Sequence, residues 1–123
     1  MRTMWTVMLL APLLVVTTVA AGPLYTPESL ASYFRLDWGV SPTPAGPKVE
    51  GYVYNQTDMR AIGMRLNIEE LDAAGNVAGQ TTTWVLGELP ERGRSFFSAR
   101  VHQAPSYRVT VASFNWLDKN VGN

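Results

Sequence analysis

A chain of 123 residues with ten Lys and Arg against ten Asp and Glu carries no formal net charge, which removes the polybasic surface that nucleic acid or anionic lipid would require. It has no cysteine and one histidine, so disulfide staples and a Cys/His zinc site are excluded. Stability must come from apolar burial in one small core.

The chain opens Met1-Arg2-Thr3-Met4-Trp5 and then runs to Gly22 without a charge. One basic residue, an apolar centre and the small-residue exit Val19-Ala20-Ala21 have the form of a secretory signal peptide, cleaved after Ala20 or Ala21. The other reading is an uncleaved membrane anchor. Pro12 and the run Val15-Val16-Thr17-Thr18 fit it poorly, because a bilayer span needs about 20 apolar residues. Residues 1–21 are therefore expected to be a signal-peptide helix, and the mature protein to be extracytoplasmic, in the periplasm or secreted. It would touch a membrane only if that segment were retained.

Residues 22–33 read as a short N-terminal segment. Thr26 can cap a helix, Pro27 suits its first position and Glu28 faces the positive end of its dipole, so one or two helical turns are expected there. Phe34-Arg35-Leu36-Asp37-Trp38 alternates apolar with charged and reads as a short strand. The Pro-rich run Gly39 to Pro47 reads as an exposed loop. In the strand Lys48 to Asn55, Val49, Gly51 and Val53 share one face, and Glu50, Tyr52 and Tyr54 share the other.

From Ile62 the apolar residues take every second position: Ile62, Met64, Leu66 and Ile68. This is the period of a strand wet on one face. Asp72-Ala73-Ala74-Gly75-Asn76 suits a type I turn closed by a residue of positive φ, and Val77 to Leu86, rich in Thr and ending in Trp84, returns as the second arm of a hairpin. Leu86 to Arg94 is a further turn. Ser95 to Val101 then puts Phe97, Ala99 and Val101 inward and Phe96, Ser98 and Arg100 outward.

After a turn at His102 to Ser106 the last strand, Tyr107 to Leu117, places Tyr107, Val109 and Val111 on one face. Near Ala112 or Ser113 the pattern changes hands. A bulge would return Phe114 and Trp116 to the core; otherwise they lie against the Phe34-Leu36-Trp38 strand. Residues 34–118 thus read as an all-β domain, an antiparallel sandwich of six or seven strands, with 119–123 as a C-terminal tail.

Residues 49 to 117 resemble the FxLYD-type domain, a bacterial immunoglobulin-like β-sandwich. The resemblance rests on Gly51-Tyr52-Val53-Tyr54-Asn55, on Ile68-Glu69-Glu70-Leu71-Asp72-Ala73-Ala74-Gly75, on Leu89-Pro90-Glu91-Arg92-Gly93, and on Phe97-Ser98-Ala99-Arg100-Val101. It implies an exported immunoglobulin-like module without catalytic residues.

The residues by themselves carry little chemistry. His102 is the sole candidate base and has no Gly-x-Ser-x-Gly elbow to serve. Glu69 and Glu70, as neighbours on a strand, point to opposite faces and do not converge as an acid/base pair. Asp72 and Asn76 lack the alternating carboxylates of a calcium loop. No catalytic residue, cofactor or metal is therefore expected. Asn55-Gln56-Thr57 is a glycosylation sequon in form, or a plain turn if the source is bacterial.

Aromatics give the one functional hint. Tyr52, Tyr54, Phe96 and Trp84 form a possible surface-contact set; the plainer reading makes them cross-strand pairs that cover a sheet face. The sequence thus points to a non-catalytic exported module that binds another exported protein or an envelope component. The alternative is a carbohydrate-binding domain that stacks sugars on Tyr52, Tyr54 and Trp84.

Overall fold

The computed structural model describes residues 25–117; the segment 1–21 expected to be a signal peptide and the expected C-terminal tail, 119–123, lie outside them. Among the described residues no helix is long and apolar enough to cross a membrane. One short helix, α1 (Pro27–Tyr33), precedes six strands: β1 (Phe34–Thr43), β2 (Gly46–Asn55), β3 (Arg60–Leu71), β4 (Val77–Trp84), β5 (Arg94–Arg100) and β6 (Ser106–Leu117). The helix forms where its cap allows. The Thr26 side chain accepts the Ser29 N–H at 3.0 Å, Pro27 takes the first turn, and Phe34 returns to extended backbone at the other end.

The strands make two antiparallel three-stranded sheets, in the orders β1-β2-β5 and β4-β3-β6. They enclose one core, in which Val49, Val53, Leu66, Ile68, Met64 and Phe97 are at most 1% exposed. The chain is therefore all-β and sandwich-like.

One expectation needs correction. Gly39 to Pro47 is not a loop: β1 runs to Thr43, β2 starts at Gly46, and only Pro44 and Ala45 lie between them. Pro42 and Pro47 face each other in the register, so the ladder lacks its donors at one step rather than at two. Gly46, at φ +116°, and the Thr43 hydroxyl, donated to the Gly46 carbonyl at 2.6 Å, close the turn.

Asp72 organises the β3–β4 turn as its sequence demands. Its carboxylate accepts the N–H groups of Ala74 and Asn76 at 2.9 Å each, its carbonyl accepts the Gly75 N–H at 2.9 Å, and Gly75 has φ +87°. Met64, Leu66 and Ile68 face the core as their alternation requires, but Ile62 is only partly buried and Ala61 is the residue fully inside. The cause is a bulge. Between the pairs Ile62↔Asn115 and Arg65↔Ser113, β3 has one residue too many, and Gly63 takes it up at φ +59°. The next pair, Leu66↔Val111, leaves β6 one residue too long at Ala112. The two bulges offset each other, so the register beyond them is unchanged. The β6 bulge also returns Phe114 and Trp116 to the core side, where they pack on Phe34 with ring centroids 5.0 and 5.6 Å away.

The two sides of the sandwich differ. On one side β4 and β5 come together: the Leu86 N–H donates to the Phe96 carbonyl at 2.9 Å, and the Thr83 hydroxyl to the Ser98 carbonyl at 3.1 Å. On the other, β1 and β6 touch through the cluster of Phe34, Phe114 and Trp116 with Tyr25 and Tyr33 of the helical segment.

Candidate functional site

The register of the first sheet determines which side chains share its outer face. Tyr54 on β2 lies between Arg35 on β1 and Arg94 on β5; one step along, Tyr52 lies between Asp37 and Phe96. Three strands thus align a row reading guanidinium, phenol, guanidinium beside a row reading carboxylate, phenol, phenyl.

The side chains pack as those rows suggest. The Arg35 guanidinium carbon is 4.0 Å from the Tyr54 ring centroid, and that of Arg94 is 4.2 Å from Tyr52 and 5.9 Å from Tyr54. Arg94 also donates to the Tyr54 hydroxyl at 3.2 Å, a bond that holds its pKa above the usual arginine value. Phe96 meets Tyr52 edge-on at 5.6 Å, and the two tyrosines lie 6.3 Å apart. The rings are half-buried and the arginines exposed. Such an exposed cation–π contact orients a guanidinium without neutralising it. Among the described ion pairs neither arginine meets a carboxylate.

Three of the four aromatics expected at a contact surface, Tyr52, Tyr54 and Phe96, therefore share one face. Trp84 does not. It is 63% exposed but lies on the second sheet, where it pairs with Arg65, whose guanidinium carbon is 5.5 Å from the indole. A sugar platform of Tyr52, Tyr54 and Trp84 is thus divided between two sheets, and both tyrosines already carry a guanidinium over the ring. The sequence alone does not single out these arginines: Arg35 carries a signal, since it alternates with Phe34 and Leu36, and Arg94, at the end of a turn, carries none.

The residues weighed for chemistry are engaged in structure. The Glu69 carboxylate pairs with Arg108 at 2.6 Å on the outer face of the second sheet, while Glu70 points inward and meets His102. Among the described residues the His102 ring has that carboxylate as its hydrogen-bond partner, at 3.2 Å. Asn55 is 3% exposed. Its amide nitrogen donates to the carbonyls of Met59 at 2.7 Å and Leu89 at 3.4 Å, and its oxygen accepts the N–H and hydroxyl of Thr57 at 3.0 and 2.8 Å. The sequon's nitrogen is thus committed inside the fold, where a glycan has no room. Among the described residues no three His, Cys, Asp or Glu side chains gather as a metal site.

Comparison with protein-family models, with curated proteins and with solved structures gives no match to this chain.

Proposed function

We propose that this chain is a non-catalytic, exported binding module of immunoglobulin-like type, which contacts another exported or envelope protein through the outer face of its first sheet. The row Arg35–Tyr54–Arg94 carries the reading. Two exposed guanidiniums are held beside the tyrosine rings and meet no carboxylate among the described ion pairs, and this arrangement suits capture of carboxylates on a partner. Aromatic and arginine side chains together are the usual anchors of a protein contact. A protein rather than a glycan is favoured because sugar stacking needs uncovered ring faces.

The likeness to the FxLYD-type domain supports the architecture. Two of its motif residues have physical duties here: Gly51 leaves no space for a Cβ beside the Asp37 carbonyl and Trp38, and Asn55 ties the β2–β3 turn. The signal-peptide form of residues 1–21 supports export.

A photo-crosslinking amino acid in place of Ser98, on the same face, tests the proposal in the cells the protein comes from. The expected result is a crosslink to an exported protein that Tyr52→Ala and Arg94→Glu both abolish without altering the circular dichroism. A crosslink indifferent to both variants would refute the assignment of the face. Oligosaccharide that quenches the protein's fluorescence, lost in Tyr52→Ala, would reassign it to glycan. Mass spectrometry of the mature protein tests export separately: retention of Met1 in a cytosolic fraction would end that part of the reading.

A further inference from the structure

Between the outer edges of β1 and β6 lies an apolar groove of about 620 Å³, a volume in the range that holds a small ligand or a short peptide. Phe34, Arg35 and Leu36 of β1 form one wall and Val109, Thr110 and Val111 of β6 the other; the helix α1 covers one part of it with Leu30.

Three consecutive residues come from each strand. Successive side chains of a strand point to opposite faces, so a groove lined by a sheet face alone would show every second residue. One lined by every residue looks onto the strand edges, where unpaired backbone groups lie. Among the described strands neither edge has a neighbour: β1 is bonded to β2 alone and β6 to β3 alone.

We propose that this groove binds an extended peptide of a partner protein, paired to the open edge of β1, with apolar side chains turned toward Leu36 and Val111 and an acidic one beside Arg35. The strand edges decide the class of ligand. A hydrocarbon chain would cover the edge amides and carbonyls without bonding them, whereas an added strand offers a donor and an acceptor at each step. Arg35 decides the charge, because it is exposed at the rim of the groove and meets no carboxylate among the described ion pairs. This site is separate from the Tyr52 face and stands if that reading fails; Arg35 is the residue that borders both.

The test uses the isotope-labelled protein and a set of capped heptapeptides that alternate Val and Thr, with one Glu moved through the positions. Binding is expected to shift the backbone amide resonances of residues 34–36 and 109–111. Arg35→Glu weakens the best peptide by roughly tenfold or more, and the matching Lys peptide recovers the loss. Methylating alternate peptide nitrogens, which removes the edge hydrogen bonds and keeps the side chains, also weakens it by at least about tenfold. Val111→Ser lowers the affinity while the crosslink from position 98 persists, so failure of the groove and failure of the outer face can be told apart. The proposal is overturned if no peptide of the set moves the groove amides, if the methylated peptide binds as tightly, or if palmitate shifts those amides where the peptides do not.

Discussion

The buried carboxylate of Glu70 accepts the backbone N–H of His102 at 2.8 Å, and the ring Nδ1 of the same histidine stands 3.2 Å from that same oxygen. Glu70 continues the inward series Met64, Leu66, Ile68 and is 5% exposed, while the His102 side chain is 89% exposed. The amide, not the ring, should therefore supply most of the stability. His102→Ala keeps the amide and is expected to cost less than about 0.5 kcal/mol, whereas Glu70→Ala leaves it unpaired and should cost about 1 to 3 kcal/mol. Urea unfolding of the two variants checks the order; equal losses would show that the ring matters as much.

Gly51→Ala should be the more damaging of two glycine changes. A Cβ there would lie against the Asp37 carbonyl and within 2.5 Å of the Trp38 Cα, both backbone atoms of the paired strand, whereas at Gly39 it would meet no atom of the described residues within 4 Å. The expected cost is about 1 to 3 kcal/mol for Gly51→Ala and near zero for Gly39→Ala. Thermal unfolding measures both.

Asn55→Asp keeps the shape and the acceptor to Thr57 but removes both donations, turning a carboxylate toward the Met59 and Leu89 carbonyls. A loss of about 2 to 4 kcal/mol is expected, with the β2–β3 turn first to lose protection in hydrogen exchange. Retention of wild-type stability would show that the amide nitrogen is not engaged as described.

The edge strand β4 carries no charge, and no charged residue occurs between Asp72 and Glu88. Val77 and Trp84 at its ends are 48% and 63% exposed. Edges without charge or proline invite pairing between molecules. Thr82→Lys, at an exposed position of β4, should reduce light scattering at high protein concentration while changing stability by less than about 0.5 kcal/mol. Scattering unaffected by the variant would place self-association elsewhere.

Local chemistry made much of this fold legible. Thr26 and Pro27 mark the helix start, Asp72 and Gly75 the hairpin turn, and the change of hands after Val111 the bulge in β6. What escaped was set by distant partners. Pro42 and Pro47 speak against a strand singly, and only their cross-strand pairing reconciles them with one. Gly63 shifts the phase of Ile62 because the matching excess lies some fifty residues on, at Ala112. For the site, alternation correctly turned Tyr52, Tyr54 and Phe96 outward. It could not say that Trp84 belongs to the other sheet, nor that Arg35 and Arg94, far apart in sequence, flank the same ring.

The paired irregularities at Gly63 and Ala112 also bind the history of two remote segments together. Dropping Gly63 by itself straightens β3 yet leaves β6 with a spare link between Val111 and Phe114; dropping Ala112 by itself does the reverse. Losing both gives two plain strands with every cross-strand neighbour kept. Length changes at these positions are therefore tolerated as a couple and penalised one at a time.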